Sequence, residues 1–280
     1  MRTSATLLVL VTFGSLATLG CAGRGEDDEA GLDAATLALV ADNDELQSAE
    51  QDLEGGLEQP LSGAPSESEP VDTSSEEAAA SAAWSNVGVY FQPAGCITST
   101  RDGAVVTHVF DDCTGPHGRV HLTGTVTSTW SRAETGVSVV HATEGFQING
   151  ATVDHTVSIS YGHEAGVYTA HRVGATTGVT GGGRAIVHSA EYTTTWDPDM
   201  RCVTRDGSSE TTIGEREFGR TIDGYERCGV GEFGCPNAGT ITLTSPRLNV
   251  ELTFGGAGSY DLIVNDHTFS DRQLRWCDAS

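Results

Sequence analysis

Lysine is absent from this 280-residue chain: all 15 basic residues are arginine, set against 39 aspartates and glutamates. With a formal net charge of −24 and no basic stripe, the sequence lacks the cations that release counterions from phosphates. Nucleic acid is therefore not expected as a partner. No C-x-x-C pair is present, so the usual thiolate framework of a structural zinc site is missing. Nor is there a G-x-S-x-G elbow to present an activated serine. Past residue 21 no apolar run approaches the roughly 20 residues that a helix needs to cross a bilayer. No metal and no cofactor are expected.

What is present begins at the N-terminus. Arg2 supplies a short positive start, Ala5 to Ala17 is mostly apolar, and Thr18-Leu19-Gly20 places a small residue before Cys21. This mostly apolar stretch of 13 residues is too short to span a bilayer and reads as an export segment over residues 1–20. The segment resembles the lipobox signals of bacterial lipoproteins. That resemblance implies cleavage before Cys21 and acylation of its thiol. One acyl chain binds a membrane only marginally, at about 10⁴ M⁻¹, whereas two or more hold firmly. A lipidated Cys21 is thus expected to be the membrane contact, with no transmembrane helix.

Residues 24–83 hold 17 Asp and Glu against one Arg, a net −16, while 84–280 carry only −9. A block of like charge joined to Ser, Ala, Pro and Gly buries too little apolar surface to offset its ordering entropy. Residues 21–74 are accordingly read as an acidic disordered linker. About 50 such residues span about 40 Å as a coil, and self-repulsion extends them.

Six cysteines follow Cys21: Cys96, Cys113, Cys202, Cys228, Cys235 and Cys277. An even count in an exported chain reads as three disulfides in an oxidising compartment. The short spacings favour Cys96 with Cys113 and Cys228 with Cys235, leaving Cys202 for Cys277. Entry to the domain, residues 75–92, reads as a helix. Ser74-x-x-Glu77 fits a capping box, Ala80, Trp84, Val87 and Phe91 share a face, and Pro93 and Gly95 stop it. Trp84 and Phe91 are expected to pack this helix on a sheet.

Over residues 93–280 the period becomes two. Val120, Leu122, Gly124, Val126 and Trp130 alternate with Thr123, Thr125, Thr127 and Thr129, predicting one buried face and one wet face. The same alternation recurs from Val153 to Tyr161 and from Ile186 to Trp196. Asp102-Gly103, Asn149-Gly150, Gly181-Gly182-Gly183, Asp206-Gly207 and Asp223-Gly224 read as turns between strands. The expected fold is all-β: an antiparallel meander forming a sandwich or barrel, with one short helix packed on it and a disordered tether before it.

Candidate chemistry is sparse. Gly229 to Gly234 spells G-x-G-x-x-G, but it lies between two cysteines and carries Glu232, so it reads as a disulfide-closed loop and not a phosphate site. His117 and His121 would stand about 13 Å apart on a strand, too far to share an ion. His141, His155, His163, His171 and His188 can converge only across strands. Asp111-Asp112 and Asp197-Pro198-Asp199 read as strand-end turns. Thr100 to Gly103 echoes Thr204 to Gly207, and Thr127 to Trp130 echoes Thr193 to Trp196, as shared hairpin chemistry does.

The layout resembles that of uncharacterised bacterial lipoproteins, on Leu19-Gly20-Cys21 and the acidic region after it. The resemblance implies attachment to the bacterial cell envelope, at the outer membrane, and no activity. The expectation is a non-catalytic β domain with a binding or structural role, its protein or ligand partner left unnamed. The alternatives are an exported hydrolase acting on glycans or peptides, and a carrier of an apolar ligand.

Overall fold

A computed structural model describes residues 71–115, 120–229 and 235–274. The expected signal, Cys21, the linker up to residue 70, His117, Cys277 and most of the Gly229 to Gly234 stretch lie outside the described residues. Helix α1 (Glu76–Asn86) opens the domain and runs into a 3-10 turn at Val87–Tyr90. Fourteen strands follow. They are β1 (Ile97–Asp102), β2 (Val105–Thr114), β3 (His121–Arg132), β4 (Gly136–Thr143), β5 (Phe146–Ile148), β6 (Ala151–Glu164) and β7 (Val167–Val179). Then come β8 (Ala185–Asp197), β9 (Cys202–Ile213), β10 (Arg216–Cys228), β11 (Pro236–Thr244), β12 (Asn249–Gly256), β13 (Ser259–Val264) and β14 (His267–Gln273).

The strands form one antiparallel sheet in chain order, as the meander reading expects. β5 continues β4 after a break at Glu144-Gly145, so both fill the slot between β3 and β6. Because directly opposed residues point to the same face, register can be followed across the sheet. One transverse row runs Val106, Ser128, His141, Val157, Gly174, Ala190, Ser209, Arg220, Leu243, Val250 and Val264, from β2 to β13. All of these are buried except Arg220, which is half-buried. The opposite face is wet: on β6 it presents Thr152, Asp154, Thr156, Ser158 and Ser160, all exposed. That is the reverse of the apolar outward face required of strands that cross lipid. Among the described residues no helix is long and apolar enough to cross a membrane.

Helix α1 covers only the start of the inner face. Its Ala79, Ala80 and Ala83 pack with Val106, Trp130, Val137, Val139, Val157 and Ile159. Alanines permit this close approach. The turn after α1 inserts Val87 and Phe91 beside Phe110, Leu122 and Phe146, where Phe110 meets Phe91 and Phe146 edge to face at 5.3 and 5.5 Å. A third cluster, from Ala190 and Tyr192 to Phe254, Leu262 and Val264, lies far along the sheet. A helix of 11 residues cannot cover all three.

Several expectations are corrected in detail. The helix N-cap is Ser75, whose Oγ accepts from the Ala78 N–H at 3.1 Å, and not Ser74. Trp84 is 45% exposed and donates its indole N–H to the Ser99 carbonyl, so it leans over β1 and does not join the core. Asp111-Asp112 is a bulge within β2, where the register slips between Phe110 and Cys113 and Asp112 takes φ 50°. Asp206-Gly207 and Asp223-Gly224 are not hairpin turns but lie inside β9 and β10, joined by a bond from the Gly224 N–H to Asp206 Oδ1. Gly207 is there because a Cβ would come within 2.7 Å of the Tyr192 Cα. The Thr204 to Gly207 echo therefore differs from Thr100 to Gly103, which does end in a turn. Asp197-Pro198-Asp199 is a turn, with Asp197 Oδ1 accepting from the N–H groups of Asp199 and Met200.

The cysteines divide likewise. Cys96 and Cys113 are bonded, with Cα atoms 5.4 Å apart. Cys228 is bonded to Cys202 and not to Cys235, because β9 and β10 place Cys202 and Cys228 directly opposite each other, with Cα atoms 4.1 Å apart. The hairpin shortens a separation of 26 residues to a cross-strand step. Cys235 is itself disulfide-bonded, so the expected closure of the Gly229 to Gly234 loop by Cys228 is overturned. Non-reducing peptide mapping should therefore recover a Cys202–Cys228 peptide and no Cys228–Cys235 peptide. Replacing Cys202 and Cys228 together by Ala should lower stability to urea by about 3 to 4 kcal/mol, the chain-entropy value for a loop of this size.

Candidate functional site on the inner face

Two polar groups interrupt the apolar inner face. The first is a belt of buried histidines on alternate strands: His108 on β2, His141 on β4, His155 on β6 and His188 on β8. Each sits across from a hydroxyl of a neighbouring strand, and each uses its Nδ1 there. The pairs are Ser99 Oγ with His108 at 2.8 Å and Ser128 Oγ with His141 at 2.7 Å. Thr176 Oγ1 meets His155 at 2.7 Å, and Thr211 Oγ1 meets His188 at 2.9 Å. Thr143 Oγ1 adds an acceptor for the backbone N–H of His155. Buried polar atoms need such partners, and the strand register supplies them.

These pairs contain the atoms of a serine–histidine couple in the wrong arrangement for acyl transfer. A catalytic imidazole turns Nε2 to the nucleophile and holds Nδ1 against a carboxylate. Here Nδ1 holds the hydroxyl, and Ser128, His141 and His155 are buried away from any substrate. The remaining histidines are dispersed. His163 lies on the inner face at the exposed end of β6, and His171 faces outward to Glu191 at 3.1 Å. Among the described residues no three or more His, Cys, Asp or Glu are grouped to hold a metal ion.

The second group is cationic. Arg172 on β7 stands opposite Tyr192 on β8, and Tyr192 stands opposite Gly207 on β9. The guanidinium carbon of Arg205 lies 4.3 Å from the centre of the Tyr192 ring, and that of Arg220 lies 6.0 Å from it. Arg172 is only 7% exposed and lays its guanidinium over Gly174, where a Cβ would come within 3.1 Å of a nitrogen. Gly174, Ala190, Ser209 and Arg220 then succeed one another in a single row across β7 to β10. Between Arg172 and Arg220 the row thus carries three small buried residues. Toward the strand ends the same face carries a stacked ladder: His163 on Tyr168 at 4.1 Å and Tyr168 on Trp196 at 5.3 Å.

Charge is sorted between the faces of this region. On β8 to β10 the carboxylates of Glu191, Asp206, Glu210, Glu217, Asp223 and Glu226 sit at outward positions, alternating with the inward series that contains Arg205 and Arg220. The sequence shows no clustered arginine because its members are 33 and 15 residues apart. The parity of Arg172, Arg205 and Arg220 within their strands was the available signal. Of the predicted site residues, Cys96, Cys113, Cys202, Cys228 and Cys235 are described and none approaches this group as a ligand; Cys21 and Cys277 lie outside the described residues.

Burial holds His108 well below the ordinary imidazole value, from 6.5 down to about 4. Between those values the unfolded chain carries a proton at His108 and the folded chain does not, so acidification favours unfolding. The His108 contribution is complete above pH 6.5 and is lost as the pH falls toward 4. In His108→Asn the amide keeps a polar contact to Ser99 but has no proton to gain. Urea unfolding at pH 7 and pH 4 should show the variant losing about 3 kcal/mol less than the parent over this range. An equal loss in both proteins would remove His108 from the pH response. Compared with known protein families, curated proteins and solved structures, the chain matches none.

Proposed function

We propose that this chain is an exported bacterial lipoprotein, acylated at Cys21 and held to the cell envelope, whose folded domain is a non-catalytic binding module. The observation that carries the non-catalytic part is the use of its reactive side chains. Each buried imidazole spends Nδ1 on a hydroxyl of the adjacent strand, so the serine, threonine and histidine side chains fasten the sheet. Two disulfides that join chain neighbours support an oxidising compartment.

For attachment, the support is the apolar segment ending at Leu19-Gly20-Cys21 and the acidic stretch behind it. Anionic headgroups repel that stretch, so it acts as a spacer holding the domain tens of ångströms from the bilayer. The wet outward face, with Thr, Ser and acidic side chains on β6 and β8 to β10, accords with a domain standing free in water.

Intact-mass analysis of protein extracted from native membranes tests the anchor. The expected species begins at Cys21 and carries the added mass of a diacylglyceryl group, and Cys21→Ala should move the protein to the soluble fraction. An unmodified chain beginning past residue 21 would overturn the proposal.

A further inference from the structure

Six of the nine large apolar side chains exposed among the described residues stand on the outward face of the sheet: Val105, Val109, Val140, Val173, Val179 and Val187. The register arranges them. One transverse row reads Val105, Thr129, Val140, Ser158 and Val173 across β2, β3, β4, β6 and β7. It reads the same from either end, valines separated by hydroxyls. These valines are 36%, 41% and 46% exposed, so each has surface left to bury. The next row on the same strands, Thr107, Thr127, Ala142, Thr156 and Ala175, is equally free of charge. Beyond the first row lie Ser131, Ser138 and Ser160.

Charge restricts where two copies of this chain can touch. With a net charge of −24 they repel wherever carboxylates are opposed, and outward carboxylates begin on β8 and β9, where the two rows end at Glu191 and Glu210. The field from β2 to β7 avoids that cost. Its order is also self-complementary. A two-fold axis between two such faces, parallel to the strands and passing over β4, sets β2 over β7 and β3 over β6. Val105 then meets Val173 of the partner subunit, Thr129 meets Ser158 of the partner subunit, and Val140 meets its own equivalent. The acidic flank of each copy is carried away from that of the other. At the rim Glu191 comes over the partner's Asp102, a like-charge contact that salt screens.

We propose that two copies of this chain pair face to face through the outward side of β2 to β7, about a two-fold axis over β4. With Val109, Thr125, Thr177 and Val187 at its margin, the field spans about 27 Å along the strands and about 29 Å across them, or about 700 Å² without its charged corner. Two copies bury about 1,400 Å², inside the range of about 1,200 to 2,000 Å² that specific interfaces need. Antiparallel sheets stack in this way about 10 Å apart, with strand directions about 30° from parallel. The hydroxyls keep the face wettable in the monomer, so the pairing is reversible.

Sedimentation equilibrium of the chain from residue 21 onward tests it, with Cys21→Ala so that no lipid drives association. The expected result is a monomer–dimer equilibrium that tightens as sodium chloride rises from about 20 to about 300 mM. Val105→Glu and Val140→Glu should each weaken dimerisation at least about tenfold, while Met200→Glu, on an exposed turn, leaves it unaltered. Val105→Glu combined with Val173→Arg should restore it. Within one copy those positions are about 19 Å apart, four strand steps, so the recovery reports contact between copies and not repair of a damaged fold. A monomer at every concentration up to about 1 mM, dimers loosened by salt, dimers indifferent to Val140→Glu, equal weakening by Met200→Glu, or no recovery in the double variant would overturn the proposal. None of these outcomes bears on the anchor reading, because the lipid is absent throughout.

Discussion

Because each strand pairs with its neighbours in the chain, the whole domain shares a single register frame, and only one side of that frame is dry. A slip of one residue in any hairpin would turn that strand's apolar set to water and its Thr and Ser side chains to the core. Every other feature follows from holding this frame. The Val106 to Val264 row stays on one face although strands in it are bulged, because each bulge absorbs its extra residue locally, as in β2 at Asp111-Asp112 and in β10 at Asp223-Gly224. The disulfides sit at strand ends, where they pin register.

The frame also sets how polarity is admitted to the interior. Imidazoles are placed on alternate strands so that a hydroxyl lies across from each, and burial is matched by a short hydrogen bond. Charged guanidinium groups are treated differently. Arg205 and Arg220 stand where the face is half-buried, against the Tyr192 ring, whereas Arg172 is buried over Gly174.

Strand content was legible because a half-buried strand writes its burial directly into the odd and even positions of the sequence. Val153 to Tyr161 and Ile186 to Trp196 point inward as that alternation requires. Asp-Gly pairs were less legible, since the same two residues serve a turn at Asp102-Gly103, a bulge at Asp223-Gly224 and a close backbone approach at Gly207. Which applies depends on the facing strand. Proximity along the chain found Cys96–Cys113 but misled for Cys228, favouring Cys235, whereas proximity in space is set by the β9–β10 register. The arginine group around Tyr192 is a product of three strands and has no local motif. The Ser and Thr partners of the histidines are equally invisible until the register is known.

Pairing in chain order has a consequence for how this protein comes into being. No strand waits for a distant segment before it can be hydrogen-bonded, so loop closure stays inexpensive at each step. A chain emerging N-terminus first can add hairpins one after another, with α1 and β1 to β4 burying Val106, Trp130 and Val139 before β8 exists. The two disulfides respect that order. Cys113 meets Cys96 as soon as β2 has formed, and Cys228 meets Cys202 as soon as β10 has, so a cysteine from the first hairpin is already committed when the later ones arrive. For these two bridges oxidation can proceed in step with emergence.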